Sequence, residues 1–323
     1  MKRMDKKPHD ARLPYLSIAL DTAAMQIVFA TALFQEELCQ EELFRKEEFS
    51  AMTKRSGGHY QITSYTIERI KYKPGQHCLI YYVLQIQDTL VGETIEQIIC
   101  ARTYPPDDAL AHFAKAQTLP LVCTRFGKAV LYLPALAMVA WLFPNDRKLT
   151  SLPKLMDQQW LQNEHLPALI EASVGPHWQI RGLASQIIHY APEQTCTIRV
   201  HLNLQQPAMH EQQTMILFGK TYANEDGATT YKVMQDLWDE NRRNNQTLTL
   251  AQPLAYAAPL KILWQQGLPG QTLADVAYTS PHFLTLLERA ACAVAMLHRT
   301  RSVCHRVSSL VHGGGNSPMM RTA

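Results

Sequence analysis

The sequence predicts an α+β protein in which one supersecondary unit, an antiparallel sheet with a helix after its third strand, occurs as two tandem copies. Three observations carry that expectation. First, segments recur at a constant offset. Lys71-Tyr72-Lys73-Pro74-Gly75-Gln76-His77-Cys78 returns as His189-Tyr190-Ala191-Pro192-Glu193-Gln194-Thr195-Cys196, with Tyr, Pro, Gln and Cys matching 118 positions later (196 − 78). In the same register Ala101-Arg102-Thr103-Tyr104 falls opposite Gly219-Lys220-Thr221-Tyr222, and Asp107-Asp108 opposite Glu225-Asp226. Second, Cys196, Ile198, Val200, Leu202 and Leu204 alternate with Thr197, Arg199, His201 and Asn203, the period of a strand with one apolar face. Third, Tyr231, Met234, Leu237 and Trp238 share one face of a helix over 230–241.

Each element follows in order. The basic start Met1-Lys2-Arg3-Met4-Asp5-Lys6-Lys7 precedes an apolar stretch over 13–34, the arrangement of a signal peptide, but Asp21 and Gln26 lie inside it. Leu16, Leu20, Ala23, Ile27, Ala30 and Phe34 recur every three or four positions, which predicts an amphipathic helix instead. The longest apolar run, 129–143, contains Pro134 and is shorter than the roughly 20 residues a bilayer needs, so a strand, turn and strand is expected. In the second copy, 185–190 reads as a strand and Ala191-Pro192-Glu193-Gln194 as a turn, with Pro suited to its second position. The alternating strand from Cys196 follows, then a third strand over 215–222 and the helix over 230–241. Residues 253–256 and 260–265 read as two short strands, Leu268-Pro269-Gly270 as a turn and 283–297 as an amphipathic helix. The first copy repeats this order from Tyr65 to about Leu149, so each copy is expected to be a meander of strands.

Composition narrows the function classes. With 46% apolar residues in 323, the chain can bury a core, which excludes global disorder and collagen-like structure. The net charge of +3 (31 − 28) is too small to argue for nucleic acid or an anionic membrane as partner. Seven Cys, an odd number without a Cys-x-x-Cys pair, suit a reducing, cytoplasmic compartment. Cys304 with His298 and His305 lacks the spacing of a metal site.

Four motifs in order carry a family resemblance. Tyr190-x-Pro192-x-x-x-Cys196 lies between two strands; Phe218-Gly219-Lys220-Thr221-Tyr222 follows, then Leu263-Trp264-Gln265-Gln266-Gly267-Leu268-Pro269-Gly270, then Ala293-x-x-Met296-Leu297-His298-Arg299. This order resembles the aminoglycoside phosphotransferase and choline kinase group, with its protein-kinase-like fold of a strand-rich small lobe over a helical lobe. The resemblance covers about 183–300 well and 65–149 more faintly. It divides the chain into an N-terminal helical segment (1–60), a first, degenerate small lobe (61–175), a second small lobe (176–270), the start of an incomplete helical lobe (271–300) and an irregular basic tail (301–323).

The resemblance implies ATP as cofactor, bound through Lys220, the third-strand lysine that neutralises phosphate charge in such kinases. The helix acid that orients this lysine would be Asp236 or Glu240. Gln265 and Gly267 fall where the hinge between lobes offers backbone groups to adenine. The turn 191–195 takes the place of the phosphate-covering loop but has no glycine, so close backbone approach to phosphate is disfavoured. In the first copy Arg102 stands at the position of Lys220, with Pro105 and Pro106 after it, which suits a structural lobe better than a second active site.

The catalytic parts are missing. Where the group carries His-Gly-Asp, the nearest segment is His312-Gly313-Gly314, and no carboxylate follows Glu288. Phosphoryl transfer needs acids to position the hydroxyl and hold Mg²⁺, so no Mg²⁺ site is found and no turnover is expected. A truncated or frame-shifted product would explain the basic, unpatterned end; an ordinary disordered tail is the alternative. The expected function is therefore an aminoglycoside-phosphotransferase-like kinase fragment that binds ATP without catalysis. Its partners would be a nucleotide and, in a full-length relative, a small-molecule acceptor. The alternative is a non-catalytic binding or interaction module built from the duplicated lobes.

Overall fold

The computed structural model describes residues 10–34, 59–243, 248–270 and 272–299. It is α+β, with two five-stranded antiparallel sheets, and the chain divides into two compact units: 1–156 with 191–194, and 157–190 with 195–323. Among the described residues no helix is long and apolar enough to cross a membrane.

The first unit contains helices α1 (Leu16–Ala19) and α2 (Thr22–Phe34), then strands β1 (Tyr60–Lys73), β2 (His77–Asp88) and β3 (Thr94–Thr103). Helix α3 (Pro106–Gln117) precedes β4 (Val130–Leu133), a 3₁₀ turn Pro134–Leu136 and β5 (Met138–Leu142). The expected single helix over 13–34 is two helices, because the chain breaks at Leu20 and the Asp21 carboxylate accepts the Ala24 N–H at 3.2 Å, capping α2. The buried stripe of α2 is accordingly Met25, Phe29 and Leu33 rather than Ile27, Ala30 and Phe34. It packs on the sheet face formed by Ile80, Tyr82, Ala101 and Ala140, while Ala109 and Ala116 of α3 cover Tyr104, Val139 and Trp141 on the opposite face.

The sheet is not the expected meander. Its order is β1-β2-β3-β5-β4, so the fifth strand lies beside the third and the fourth takes the edge. Burial explains the choice. All five residues of β5 are buried, as a strand covered on both faces requires, whereas β4 alternates buried and half-buried positions and tolerates an edge.

The second unit repeats the plan. It begins with helix α5 (Gln158–Trp160), a π-helical turn Leu161–His165 and helix α6 (Leu166–Val174); α4 (Leu152–Met156) precedes them in the first unit. Strands β6 (Gln179–Ala191), β7 (Thr195–Gln206) and β8 (Glu211–Tyr222) follow, then helix α7 (Asp226–Arg243), β9 (Pro253–Ala257), a 3₁₀ turn Ala258–Leu260 and β10 (Ile262–Gln266). The order β6-β7-β8-β10-β9 is that of the first sheet. Cys196, Ile198, Val200, Leu202 and Leu204 are all buried, as their alternation requires. Helix α7 starts four residues earlier than the expected 230, and α8 (Phe283–Arg299) occupies the expected C-terminal helix.

The geometry extends the repeat beyond its matching letters. The offset of 118 holds through the third strands, where Thr103 becomes Thr221 (221 − 103). It becomes 124 at the last strands, where Met138 pairs with Thr103 and Ile262 with Thr221 (262 − 138). The added six residues equal the difference between α7 and α3, 18 against 12 residues. Ala137 and Lys261, also 124 apart, share the left-handed conformation, and each carbonyl accepts the N–H of the matching tyrosine, Tyr104 or Tyr222. Ahead of the strands the offset is 136 (157 − 21): Asp157 caps α5 through the N–H groups of Gln159 and Trp160, as Asp21 caps α2.

Core volume is redistributed between the copies. Tyr82 on β2 is matched by Val200, and Ala140 on β5 by Trp264. The large ring thus moves from the second strand to the fifth. Gly219, the counterpart of Ala101, makes room for it: a Cβ there would lie 2.7 Å from the Trp264 ring.

Candidate functional site

Lys220 stands on β8 between Thr197 of β7 and Leu263 of β10. It is half-buried, and its ammonium lies 4.9 Å from the centroid of the Tyr222 ring, two residues along the same face. The neighbouring β10 carries Gln265, paired with Phe218, and the backbone N–H of Gly267 donates to the Ile216 carbonyl at 2.7 Å. Lys220 and Gln265 are therefore on adjacent strands of one sheet, and Gly267 directly follows β10. Gly267 is a steric necessity: a Cβ would stand 2.6 Å from Ile216 Cγ2 and 3.1 Å from its carbonyl oxygen. Asp236 and Glu240 are half-buried positions of α7. Just before α7, Glu225 Oε1 meets Lys261 Nζ at 2.9 Å on the surface. Asn241 closes α7, exchanging hydrogen bonds with the backbone N–H and carbonyl of Leu248 at 2.9 and 2.7 Å.

Behind this sheet, Trp264 donates its indole N–H to His165 Nε2 at 2.8 Å, and Trp160 stacks on His165 at 4.6 Å between centroids. Burial lowers the His165 pKa, which keeps the imidazole neutral and its Nε2 an acceptor. Sequence reasoning missed this histidine, because its partner is 99 residues away.

Among the described residues a buried charged cluster lies in the first unit, where sequence reasoning saw only a degenerate position. Arg102, 8% exposed, donates through Nη2 to Glu193 Oε2. Arg147 meets the same carboxylate side-on, Nε to Oε1 and Nη2 to Oε2, both at 2.8 Å. Asp146 completes the group: Oδ2 accepts the Glu193 N–H at 2.9 Å, while Oδ1 accepts the N–H groups of Lys148 and Leu149 at 2.7 and 3.0 Å. Burial works to raise the Glu193 pKa, but the hydrogen bond from Arg147 and the charges of both arginines outweigh it and hold the carboxyl below its usual range. His77 nearby is pushed down to about 4, first by burial and then by the Arg102 charge.

The turn bearing Glu193 matches the first copy residue for residue. Gly75, 118 positions earlier, has φ +66°, and its N–H donates to Asp10 Oδ2 at 2.7 Å; Glu193 has φ +58° and donates to Asp146. Asp10 and Asp146 differ by 136, the offset of the capping aspartates. A signal for the cluster was present in the repeat, since glutamate replaces glycine at a position that requires positive φ.

Among the described residues no group of three or more His, Cys, Asp or Glu could hold a metal ion. His305, Cys304 and the segment His312-Gly313-Gly314 lie outside the described residues. Neither the protein-family models nor the curated proteins nor the solved structures yield a match to this chain.

Proposed function

We propose that the second unit is the nucleotide-binding small lobe of a phosphotransferase-like protein of the aminoglycoside phosphotransferase and choline kinase type, and that Lys220 binds the phosphates of ATP. The observation that carries the reading is the position of Lys220: a half-buried ammonium on the third strand, with Gln265 and Gly267 at the end of the adjoining strand and a helix leading out of its own. Phosphate binding asks for a positioned cation, and the Tyr222 ring beside the Lys220 ammonium helps to position it. Asp236 or Glu240 of α7 would orient it.

In this reading the chain as written binds without turning over, because Gly314 stands where the motif of the group has its aspartate and no acid follows Glu288. A thermal-shift measurement tests it. ATP with Mg²⁺ raises the Tm of the wild-type chain and raises that of Lys220→Ala less; no shift, or equal shifts in both, would overturn the assignment. Transfer of radiolabel from ATP to any acceptor would contradict the absence of turnover.

One observation favours the second reading, a non-catalytic binding module. In the first copy the equivalent cation, Arg102, is buried and donates through Nη2 to Glu193, so a carboxylate of the chain itself takes the place that a nucleotide phosphate would need. Equal ATP responses in wild type and Lys220→Ala would support it.

A further inference from the structure

In the first unit two guanidiniums converge on one buried point. Arg102 reaches it with Nη2, and Arg147 presents the planar fork of Nε and Nη2, the geometry that suits a two-oxygen anion. Further donors share that face of the sheet. The Nε of Arg102, the hydroxyl of Tyr104 and the indole Nε1 of Trp141 are all buried without a hydrogen-bond partner. Arg102 pairs with Val139 and Cys100 with Trp141, so Arg102 and Trp141 are diagonal neighbours on one face of β3 and β5, and Tyr104 directly follows β3. Unpaired buried donors are costly, and a self-contained ion pair has no use for three of them.

The occupant of the point is itself held in an unfavourable conformation. Glu193 has φ +58°, where the equivalent residue of the first copy is glycine. Nothing in the turn asks for a side chain, since Gly75 makes the same bend and the same N–H to aspartate hydrogen bond. The side chains that hydrogen-bond to the carboxylate at position 193 are those of Arg102 and Arg147.

We propose that Arg102 and Arg147 form an oxyanion-binding site for the phosphate or carboxylate group of a small molecule, and that Glu193 is a tethered carboxylate filling it. The two Glu193 oxygens occupy the places that two ligand oxygens would take. The tether raises the local concentration of the internal carboxylate, so an external anion binds by displacing it. The site is independent of Lys220 and of the nucleotide reading.

The test is calorimetric titration of the full chain with inorganic phosphate and, separately, with succinate, against chloride at matched ionic strength. Glu193→Gly removes the tethered carboxylate and suits the positive φ. It is expected to bind one anion per chain about tenfold more tightly than wild type, and to lose that binding when Arg102→Met or Arg147→Met is added. Preference for phosphate or succinate identifies the ligand group. Should the variant fail to fold by circular dichroism, Glu193→Gln replaces it with the same expectation. The wild-type chain gives an arm that needs no variant: phosphate, unlike chloride, shifts the Arg147 Nε–H resonance as it displaces Glu193. Binding no tighter than wild type, binding that survives loss of both arginines, or an unmoved wild-type resonance where neither variant folds would overturn the proposal.

Discussion

Arg102 and Lys220 occupy the same place in two copies of one sheet, and their surroundings differ sharply. The first is buried beneath a carboxylate that a second arginine also grips; the second is half-buried, with its ammonium over an aromatic ring. The same fold position has therefore been used once for a desolvated ion cluster and once for an accessible cation. Burial decides what each cation can do. A guanidinium out of water requires an anion beside it, whereas an ammonium near the surface keeps its hydration and stays free to exchange partners.

The largest expected effect breaks the first half of that comparison. Glu193→Ala leaves two guanidiniums facing each other, one of them buried, and should destabilise the first unit by about 3–5 kcal/mol in chemical denaturation. Gly219→Ala comes next. It places a Cβ against the Trp264 ring and should cost roughly 1–3 kcal/mol through overpacking, whereas the counterpart Ala101 already carries its Cβ opposite the smaller Ala140 in the first sheet. Lys220→Met should change stability by no more than about 0.5 kcal/mol, since Lys220 is only half-buried and Met keeps an apolar contact with the Tyr222 ring. A drop as large as that of Glu193→Ala would show the two cations to be equivalent after all.

Acid sharpens the contrast through two groups of the first unit. The Glu193 pKa is depressed in the fold, so its contribution is complete above the unfolded value near 4.5 and is lost as pH falls toward the folded one. For His77 the folded value is about 4 against 6.5 unfolded, so the unfolded chain binds the proton first and stability falls as pH drops through that window. His77→Thr, which installs the residue of the second copy at Thr195, should flatten the profile between pH 4 and 6.5 in urea melts taken across that range. An unchanged slope would remove His77 from the account.

Much of the architecture was legible in the sequence. Alternation from Cys196 to Leu204 marked a one-faced strand, and those five apolar residues are buried. The matched letters at 118 marked two copies, and the sheets share one order. The sequence-level reading erred where local pattern is silent about neighbours. A run of apolar residues over 138–142 says that a strand is buried but not beside which strand, so the meander was expected and the interior position of β5 was not. The break at Asp21 was hidden because apolar residues continue across it, and only the cap reveals a new helix start. Of the candidate site, Lys220 and Gln265 share one sheet and Gly267 directly follows its strand β10, whereas the Arg102–Glu193–Arg147 cluster went unread. It joins residues 46 and 91 positions apart, and no periodicity links them.

By itself, then, the sequence determined what short-range physics controls: where strands and helices form, which faces are apolar, and that the unit is repeated. Tertiary structure decided everything that depends on which residues meet. It set the fifth strand beside the third, moved the large core ring from Tyr82 to Trp264 with Gly219 yielding space, and gave the two equivalent cations opposite environments. The reason is that burial and charge pairing belong to the assembled core. A residue's letter states which partners it needs, and only the fold supplies or withholds them.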